Sequence, residues 1–327
     1  MKLLVTPLDW GLGHATRLVP IVRWLVDNNH DVVLAGSGNS LKLLTDEFPK
    51  LKHVQLKSFR PWYNATIGVA LSILIQIPKF LYCYHREKRI VRRLVEQHGI
   101  ECIISDNRYG VRSGSCKSYI ITHQLTPKCG IGMLERFEPL FARLLARWIN
   151  RFDCCLIPDI KPCPNGLSGE LSDTRYLKIP HKHIGALSRL KTDIRTTDEE
   201  PPIEWLGIIS GQEPHRTMFE EELKKMFGEK TERRVIICGK IATADTQTTT
   251  NGIEIYSYAD TYQLSKMIHA ARNIVCRSGY STIMDLYTMK KKAILIPTPG
   301  QAEQEYLSEY LKNAYICETE ETNNYQE

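Results

Sequence analysis

A turn near the start of this 327-residue chain, Gly11-Leu12-Gly13-His14, sits between an apolar run and a helical pattern. Glycines at such a junction let the backbone approach a ligand closely, and the helix start that follows favours negative charge. A dinucleotide site would need a third glycine, but Thr16 stands there, and an acidic residue after the second strand, but Ala35-Gly36-Ser37 stand there. That argues against a dehydrogenase. His14 at the mouth of the turn has an imidazole suited to taking a proton from an acceptor hydroxyl near neutral pH. The alternative is a residue that caps the helix and only shapes the loop. His123-Gln124, after an apolar run at 118–122, and the loop Asp106-Asn107-Arg108-Tyr109-Gly110, after another strand, would reach the same crevice at the carboxyl ends of parallel strands. His181 and His183 lie in a polar stretch without metal-type companions and read as structural. No metal site is expected.

The second half carries three further motifs. Ser210-Gly211 ends a strand and leads to Arg216 on a helix, a pattern that can hold a diphosphate through backbone N–H groups and a cation. Arg277-Ser278-Gly279-Tyr280-Ser281 repeats the pattern, and Asp285 falls one turn inside the next helix, where a carboxylate can accept from a ribose diol. Gln301, Gln304 and Glu305 follow a further buried strand and carry the mixed donors and acceptors that sugar hydroxyls require. Each motif alone could be a turn and a cap. Three of them at strand ends in one domain point to a nucleotide-sugar.

The elements that must position these groups alternate. Strands are expected at 2–6, 31–35, 53–56, 102–106, 118–122 and 154–157, and helices at 15–28, from 40, and at 80–97. Residues 158–202, with six prolines and many polar residues, have linker composition. The alternation restarts with strands at 205–209, 234–238, 253–256, 273–276 and 293–297, and helices at 217–227, from 261 and from 281. The fold class is therefore α/β, with two Rossmann-like doubly wound domains, 1–186 and 187–327, facing across a cleft.

Hydrophobic residues make up 43% and charged residues 24%, the balance of a soluble globular chain. The net charge of +6 divides unevenly: residues 1–186 carry 26 basic against 15 acidic side chains, and 187–327 carry 17 against 22. A basic first half suits an anionic surface or acceptor; simple drift of surface charge accounts for it equally well. The ten cysteines show no CxxC pair or disulfide spacing, which fits buried thiols in a reducing compartment. No secretory signal is expected at the amino terminus. Residues 67–84 are mostly apolar but broken by Gln76, Pro78 and Lys79, too short for a spanning helix. They fit a buried helix or one dipping into the membrane interface, and the basic run that follows would suit anionic headgroups or a solvated face.

With these motifs on the page, the chain resembles the bacterial GT-B glycosyltransferases related to the UDP-N-acetylglucosamine transferase of lipid II synthesis, in family 28. The resemblance rests on Gly11-Leu12-Gly13-His14-Ala15-Thr16-Arg17, Ser210-Gly211, Arg277-Ser278-Gly279 with Asp285, and residues 297–304. Through Ser105-Asp106-Asn107-Arg108-Tyr109-Gly110 it is similar to a less characterised branch of LPS-type N-acetylglucosamine transferases. The resemblance implies that Ser210, Gly211 and Arg216 meet the donor diphosphate, that the backbone at Ser257-Tyr258 reads uracil, and that Asp285 takes the ribose, where the family has Glu. Ser278 and Gly279 would support the diphosphate. Gln304 and Glu305 would meet the donor sugar, where the relative has two glutamines, and His14 would lie beside the acceptor.

It also implies an inverting transfer of a hexose, N-acetylglucosamine, from a UDP-sugar to a lipid-linked or saccharide acceptor, with no metal or other cofactor. The expected setting is cytoplasmic, with a possible peripheral contact at an anionic membrane, and no nucleic acid as partner. Family members continue into a further helix, whereas residues 318–327 here are polar, which suggests truncation. Two rivals remain open: a UDP-sugar hydrolase in which His14 activates water, and a non-catalytic nucleotide-sugar-binding protein.

Overall fold

A computed structural model describes residues 1–59, 69–130, 135–193, 201–228, 232–240 and 247–312. The chain forms two compact units, Met1–Leu187 and Ser188–Glu327. The polar tail at 318–327 lies outside the described residues, as do the first residues of the apolar segment 67–84.

The first unit begins with β1 (Lys2–Thr6), α1 (Leu12–Asp27), β2 (Asp31–Gly36), α2 (Gly38–Glu47) and β3 (Lys52–Gln55). It continues through α3 (Val69–His98), β4 (Cys102–Asp106), β5 (Lys117–Ile121), α4 (Glu138–Ile149), β6 (Cys154–Ile157) and β7 (His181–His183). The seven strands are ordered β3-β2-β1-β4-β5-β6-β7, every pair parallel. A parallel sheet is covered on both faces, so its central strands must be apolar without alternation. Leu3-Leu4-Val5 and Val32-Val33-Leu34-Ala35 are accordingly all buried. The strand order reverses between β1 and β4. There the loops at their carboxyl ends diverge to opposite faces and leave a crevice.

The second unit contains β8 (Ile203–Ile208), α5 (His215–Phe227), β9 (Arg234–Ile237), β10 (Gln247–Thr250), β11 (Ile253–Tyr256) and α6 (Thr261–Ala270). It ends with β12 (Ala271–Arg277), α7 (Tyr280–Met289), β13 (Ile294–Ile296) and α8 (Ala302–Tyr310). The order is β10-β11-β9-β8-β12-β13, parallel except for the β10–β11 pair. The reversal falls between β8 and β12, so the loops after these two strands open a second crevice. Phe219, Leu223 and Phe227 of α5 pack on Ile236 and Ile253 of the sheet. Gly207 on β8 is needed for that packing, since a Cβ there would lie 2.8 Å from Leu223 Cδ1.

Five local expectations change. The helix expected at 80–97 starts at Val69 and runs through Pro78, so the apolar segment from there belongs to it. Among the described residues, no helix is long and apolar enough to cross a membrane. Part of the expected linker is structured: β7 pairs with β6, and the carboxylate of Asp159 gathers the backbone N–H groups of Ile160, Leu167 and Ser168. α4, β10 and α8 are additional elements, and β10 and α8 are too short or too polar to show a clear period in the sequence.

Candidate active site and nucleotide-sugar site

In the first unit the glycine turn takes the form its residue types suggested. Gly11 precedes α1 with φ +128°, a conformation that disfavours a side chain. The turn is held from α2: Ser40 Oγ donates to the Gly11 carbonyl at 3.2 Å, and Ser37 Oγ donates to the buried carboxylate of Asp9 at 2.9 Å. Gly13 contributes its carbonyl to the Thr16 hydroxyl, closing the first turn of the helix. His14 and Arg17 stand three residues apart on α1, so both side chains share one face.

Opposite them is Asp106, the last residue of β4, fully buried. Arg17 Nε donates to Asp106 Oδ2 at 2.6 Å and its Nη2 donates to Oδ1. His14 Nδ1 lies 3.2 Å from Asp106 Oδ1 and 2.9 Å from Arg17 Nη2. His123, just past β5 and 3% exposed, places Nδ1 3.4 Å from Arg17 Nη1. Burial alone would push the Asp106 carboxyl up, but the charges of Arg17 and His14 and their hydrogen bonds hold it below the usual carboxylate range. An ionised Asp106 beside an imidazole, at the first turn of a helix, is an acid–base arrangement aimed at the crevice.

The neighbouring candidates divide. Asn107 adopts φ +53° and keeps Oδ1 buried with no hydrogen-bond partner among the described residues. A left-handed asparagine with an unsatisfied buried acceptor is costly, and a ligand hydroxyl would relieve it. Gln124 is held at its backbone, which donates to Thr122 Oγ1 at 3.1 Å. Arg108 turns inward: Nη1 donates to Thr6 Oγ1 at 3.0 Å and Nη2 to Glu87 Oε1 at 2.8 Å. It is 2% exposed and ties α3 to the end of β4. Burial pushes the Glu87 carboxyl up, and Arg108 opposes that shift.

In the second unit the loops after β8, β12 and β13 meet. An added Cβ on Gly279 would come 3.9 Å from Ser210 Oγ, which sets the first two motifs side by side. Gly211 has φ +102°. Gly279 precedes α7 and makes no side-chain cap there, and Ser281 lies in the first turn of that helix, whose amino end carries the positive end of the helix dipole. Ser278 Oγ donates to the Gln304 carbonyl at 2.8 Å, joining the second loop to α8. Gln304 Oε1 accepts from Thr298 N at 2.9 Å, and Glu305 Oε1 accepts from Gly300 N at 2.8 Å, so both side chains also shape the third loop. Gln301, exposed, stands immediately before α8.

Two cations expected at the diphosphate have protein partners. Arg277 is 4% exposed, stacks 3.8 Å from the Phe219 ring centroid and donates to the Pro297 carbonyl at 2.8 Å. Arg216 pairs with Glu213; burial alone would push the Glu213 carboxyl up, but hydrogen bonds from Arg216 and Thr217 and the Arg216 charge together bring it down to about 2. Asp285 is half-buried and accepts from Ser188 Oγ; desolvation raises its carboxyl to about 6, opposed by Ser188 and by the Arg189 charge. Arg189 reaches the segment expected to read uracil, donating to Tyr258 Oη at 3.0 Å and to the Ala259 carbonyl. Ser257 offers its carbonyl to Lys240 N. Among the described residues, no group of three or more His, Cys, Asp or Glu is placed to hold a metal ion.

The sequence places Asp106 at the crevice without naming it as the partner of His14, and it assigns no role to Arg17, Ser188 or Arg189. Arg17 carries a legible signal, a His-x-x-Arg pair at a helix start, whereas Ser188 and Arg189 lie in the polar stretch that reads as linker.

Residues 216–326 match the model of the glycosyltransferase family 28 C-terminal domain. A 68-residue stretch is 40% identical to the UDP-N-acetylglucosamine–N-acetylmuramyl-(pentapeptide) pyrophosphoryl-undecaprenol N-acetylglucosamine transferase of Elusimicrobium minutum (strain Pei191), covering 20% of this chain and 18% of that protein. Among solved structures, the glycotransferase of kitacinnamycin superposes with TM-score 0.63 at 14% identity, over 97% of this chain and 84% of that one. Streptomyces nogalater SnogD gives 0.59 at 14% over 95% and 85%, and Acinetobacter baumannii MurG gives 0.51 at 13% over 95% and 83%. The structural likenesses show the GT-B fold, and the family 28 resemblance drawn from the motifs is supported by the matched domain and the 68-residue stretch.

Arg108→Ala should cost about 3–5 kcal/mol of stability in urea unfolding, because Glu87 is left buried without its partner. Replacing both residues with apolar ones of similar volume should recover part of that loss. A single-mutant loss under about 1 kcal/mol would show that this pair does not hold α3.

Proposed function

We propose that this protein is a glycosyltransferase that moves a hexose, N-acetylglucosamine, from a UDP-sugar held by the second unit to a hydroxyl of a lipid-linked or saccharide acceptor. The observation that carries the reading is the placement of His14 against ionised Asp106 at the crevice of a GT-B first unit, in a chain whose residues 216–326 match the family 28 C-terminal domain. The relative from Elusimicrobium minutum is named for N-acetylglucosamine transfer to a lipid-linked acceptor, which supports both the sugar and the acceptor class.

The chemistry follows from the groups present. His14 Nε2 takes the acceptor hydroxyl proton while that oxygen attacks the anomeric carbon from the face opposite the diphosphate. The bond to the leaving oxygen breaks, UDP departs with the electron pair, and the anomeric centre is inverted. The imidazolium formed is met by Asp106. Charge on the departing diphosphate is met by the N–H groups at the start of α7 and around Ser210-Gly211, with no metal required. Asn107 Oδ1 is suited to accept from an acceptor hydroxyl. Asp285 takes the ribose diol in exchange for Ser188. Gln301, Gln304 and Glu305 line the sugar. A hydrolase would use the same base on water, and a sensor would bind without turnover. Incubating the protein with UDP-sugars, with and without glycolipid acceptors, separates them: transfer only with acceptor supports the proposal, and free sugar or bare binding refutes it.

A peripheral contact with an anionic membrane belongs to this reading. α3 and α4 are joined by edge-to-face packing of Trp148 on Phe80 and Tyr84. Together they expose Ile77, Leu81, Tyr82, Leu140, Phe141 and Leu144 beside exposed Lys79, Arg86, Arg143 and Arg147. An apolar strip rimmed by cations fits an anionic interface.

Three outcomes check the proposal. His14→Ala should lower turnover by roughly 100-fold or more with UDP-sugar affinity unchanged by calorimetry; equal turnover removes His14 from the mechanism. Asp285→Ala should weaken UDP binding about tenfold or more. In the wild type that affinity should fall as pH drops below about 6, because the raised carboxyl then takes a proton and accepts hydroxyls poorly. Flat affinity across pH 5–8 counts against the ribose assignment. Leu140→Glu with Phe141→Glu should abolish co-sedimentation with phosphatidylglycerol vesicles while leaving UDP affinity intact, and undiminished sedimentation rules out this face.

A further inference from the structure

Arg17 takes no part in the reaction just described, yet it touches Asp106, His14 and His123. Its guanidinium offers five N–H donors and no acceptor, and it stays charged at any working pH. Nε and Nη2 fork the two oxygens of Asp106, Nη2 also lies 2.9 Å from His14 Nδ1, and Nη1 lies 3.4 Å from His123 Nδ1. Among the described residues, the charged and titratable groups near His14 include Arg17 on its own helix, Asp106 from β4 and, beyond the guanidinium, His123 after β5; Tyr109, after β4, stands close enough to feel both Asp106 and Arg17.

Nδ1 of His14 has two competing partners. Toward Asp106 Oδ1, at 3.2 Å, it must carry a proton and donate. Toward Arg17 Nη2, at 2.9 Å, it must offer a lone pair, because Arg17 can only donate. One nitrogen serves one of these at a time. If Arg17 donates, the single proton of neutral His14 sits on Nε2, and that nitrogen can give a hydrogen bond but cannot accept a proton. If Asp106 accepts, the proton sits on Nδ1 and the Nε2 lone pair is free to act as base.

We propose that Arg17 is a positioning residue that selects the proton state of His14, holding the resting imidazole as the Nε2–H form and yielding Nδ1 to Asp106 when His14 works as base. This rests on the transferase reading for its consequence in catalysis, but the proton state itself does not. The atoms balance simply: the Nε2 proton and the Nδ1 lone pair exchange roles through solvent or ligand, with no net charge change. As Nε2 then accepts the acceptor proton, Nδ1–H donates to Asp106. Arg17 also neutralises Asp106, so the imidazolium faces a pair of zero net charge. Removing the cation would leave His14 beside an uncompensated carboxylate and make it more basic.

The test reads both levels. In wild-type protein with 15N-labelled histidine, NMR above pH 8 should show neutral His14 protonated at Nε2, with a protonated-type shift there and a pyridine-like shift at Nδ1. A resting Nδ1–H form overturns the proposal without any variant. Arg17→Gln should reverse the pattern and move the acidic limb of kcat/KM upward by roughly one pH unit or more, and Arg17→Lys, which keeps the charge, should move it less. Lower activity with an unmoved limb and an unchanged tautomer would show Arg17 to be merely structural and overturn the proposal. A tautomer that reverses in protein showing no transfer with any UDP-sugar and acceptor would uphold the role of Arg17 and refute the transferase reading instead.

Discussion

The first unit depends on one buried ion pair, the fork of Arg17 onto Asp106. Asp106 has no exposure at the end of a central strand, and Arg17 is 2% exposed. Taking both ions out of water is costly, and only the two parallel N–H···O contacts together with the imidazoles alongside repay it. A hydrophobic pair could fill that volume with less penalty. That a charged pair sits there, at the carboxyl end of β4 and beside the glycine turn, is explained by what it does to His14. It fixes the ring's position against β4 and decides which protons its nitrogens carry.

Everything near that pair serves to keep it in place. Gly11 lets α1 start close to the sheet, and Ser37 and Ser40 of the neighbouring β2–α2 segment hold the turn from outside. Arg108 and Glu87 repeat the same solution one step away, locking α3 to the loop after β4. An added Cβ on Gly110 would meet Glu87 Oε2 and the Tyr84 carbonyl at 2.8 Å, so α3 packs there against bare backbone. Two buried Arg–carboxylate pairs thus fix both sides of the segment that carries Asp106 and Asn107.

The second unit is organised by a different principle. Its three motif loops are joined chiefly through backbone groups: Ser278 to the Gln304 carbonyl, Gln304 to Thr298 N, Glu305 to Gly300 N, Arg277 to the Pro297 carbonyl. Side chains expected to touch a ligand spend part of their hydrogen bonding on shaping the loops. The start of α7 at Gly279 has no side-chain cap from that residue, and a helix dipole with glycine backbone suits a diphosphate recognised by dipoles more than by fixed cations.

Much of this was readable from residue order. Unbroken apolar runs such as Leu3-Leu4-Val5, separated by helical periods, dictate parallel sheets, because only a sheet covered on both faces buries every residue of a strand. Strand-end motifs then must lie at one edge, which is why His14, Asn107 and His123 could be grouped, and likewise Ser210, Ser278 and Gln304. The sequence was silent where direction and pairing matter. Arg108 reads as a ligand cation until α3 delivers Glu87 to it, twenty-one residues away. Arg277 reads the same way until Phe219 and the Pro297 carbonyl take it. β7 and Ser188 looked like linker because their partners, β6 and Asp285, are distant in the chain. Residue type and local period determined the fold class and the edge where chemistry could occur. Only the tertiary structure decided which charged groups face a ligand and which are spent on the protein, because that depends on long-range contacts whose desolvation cost no local pattern records.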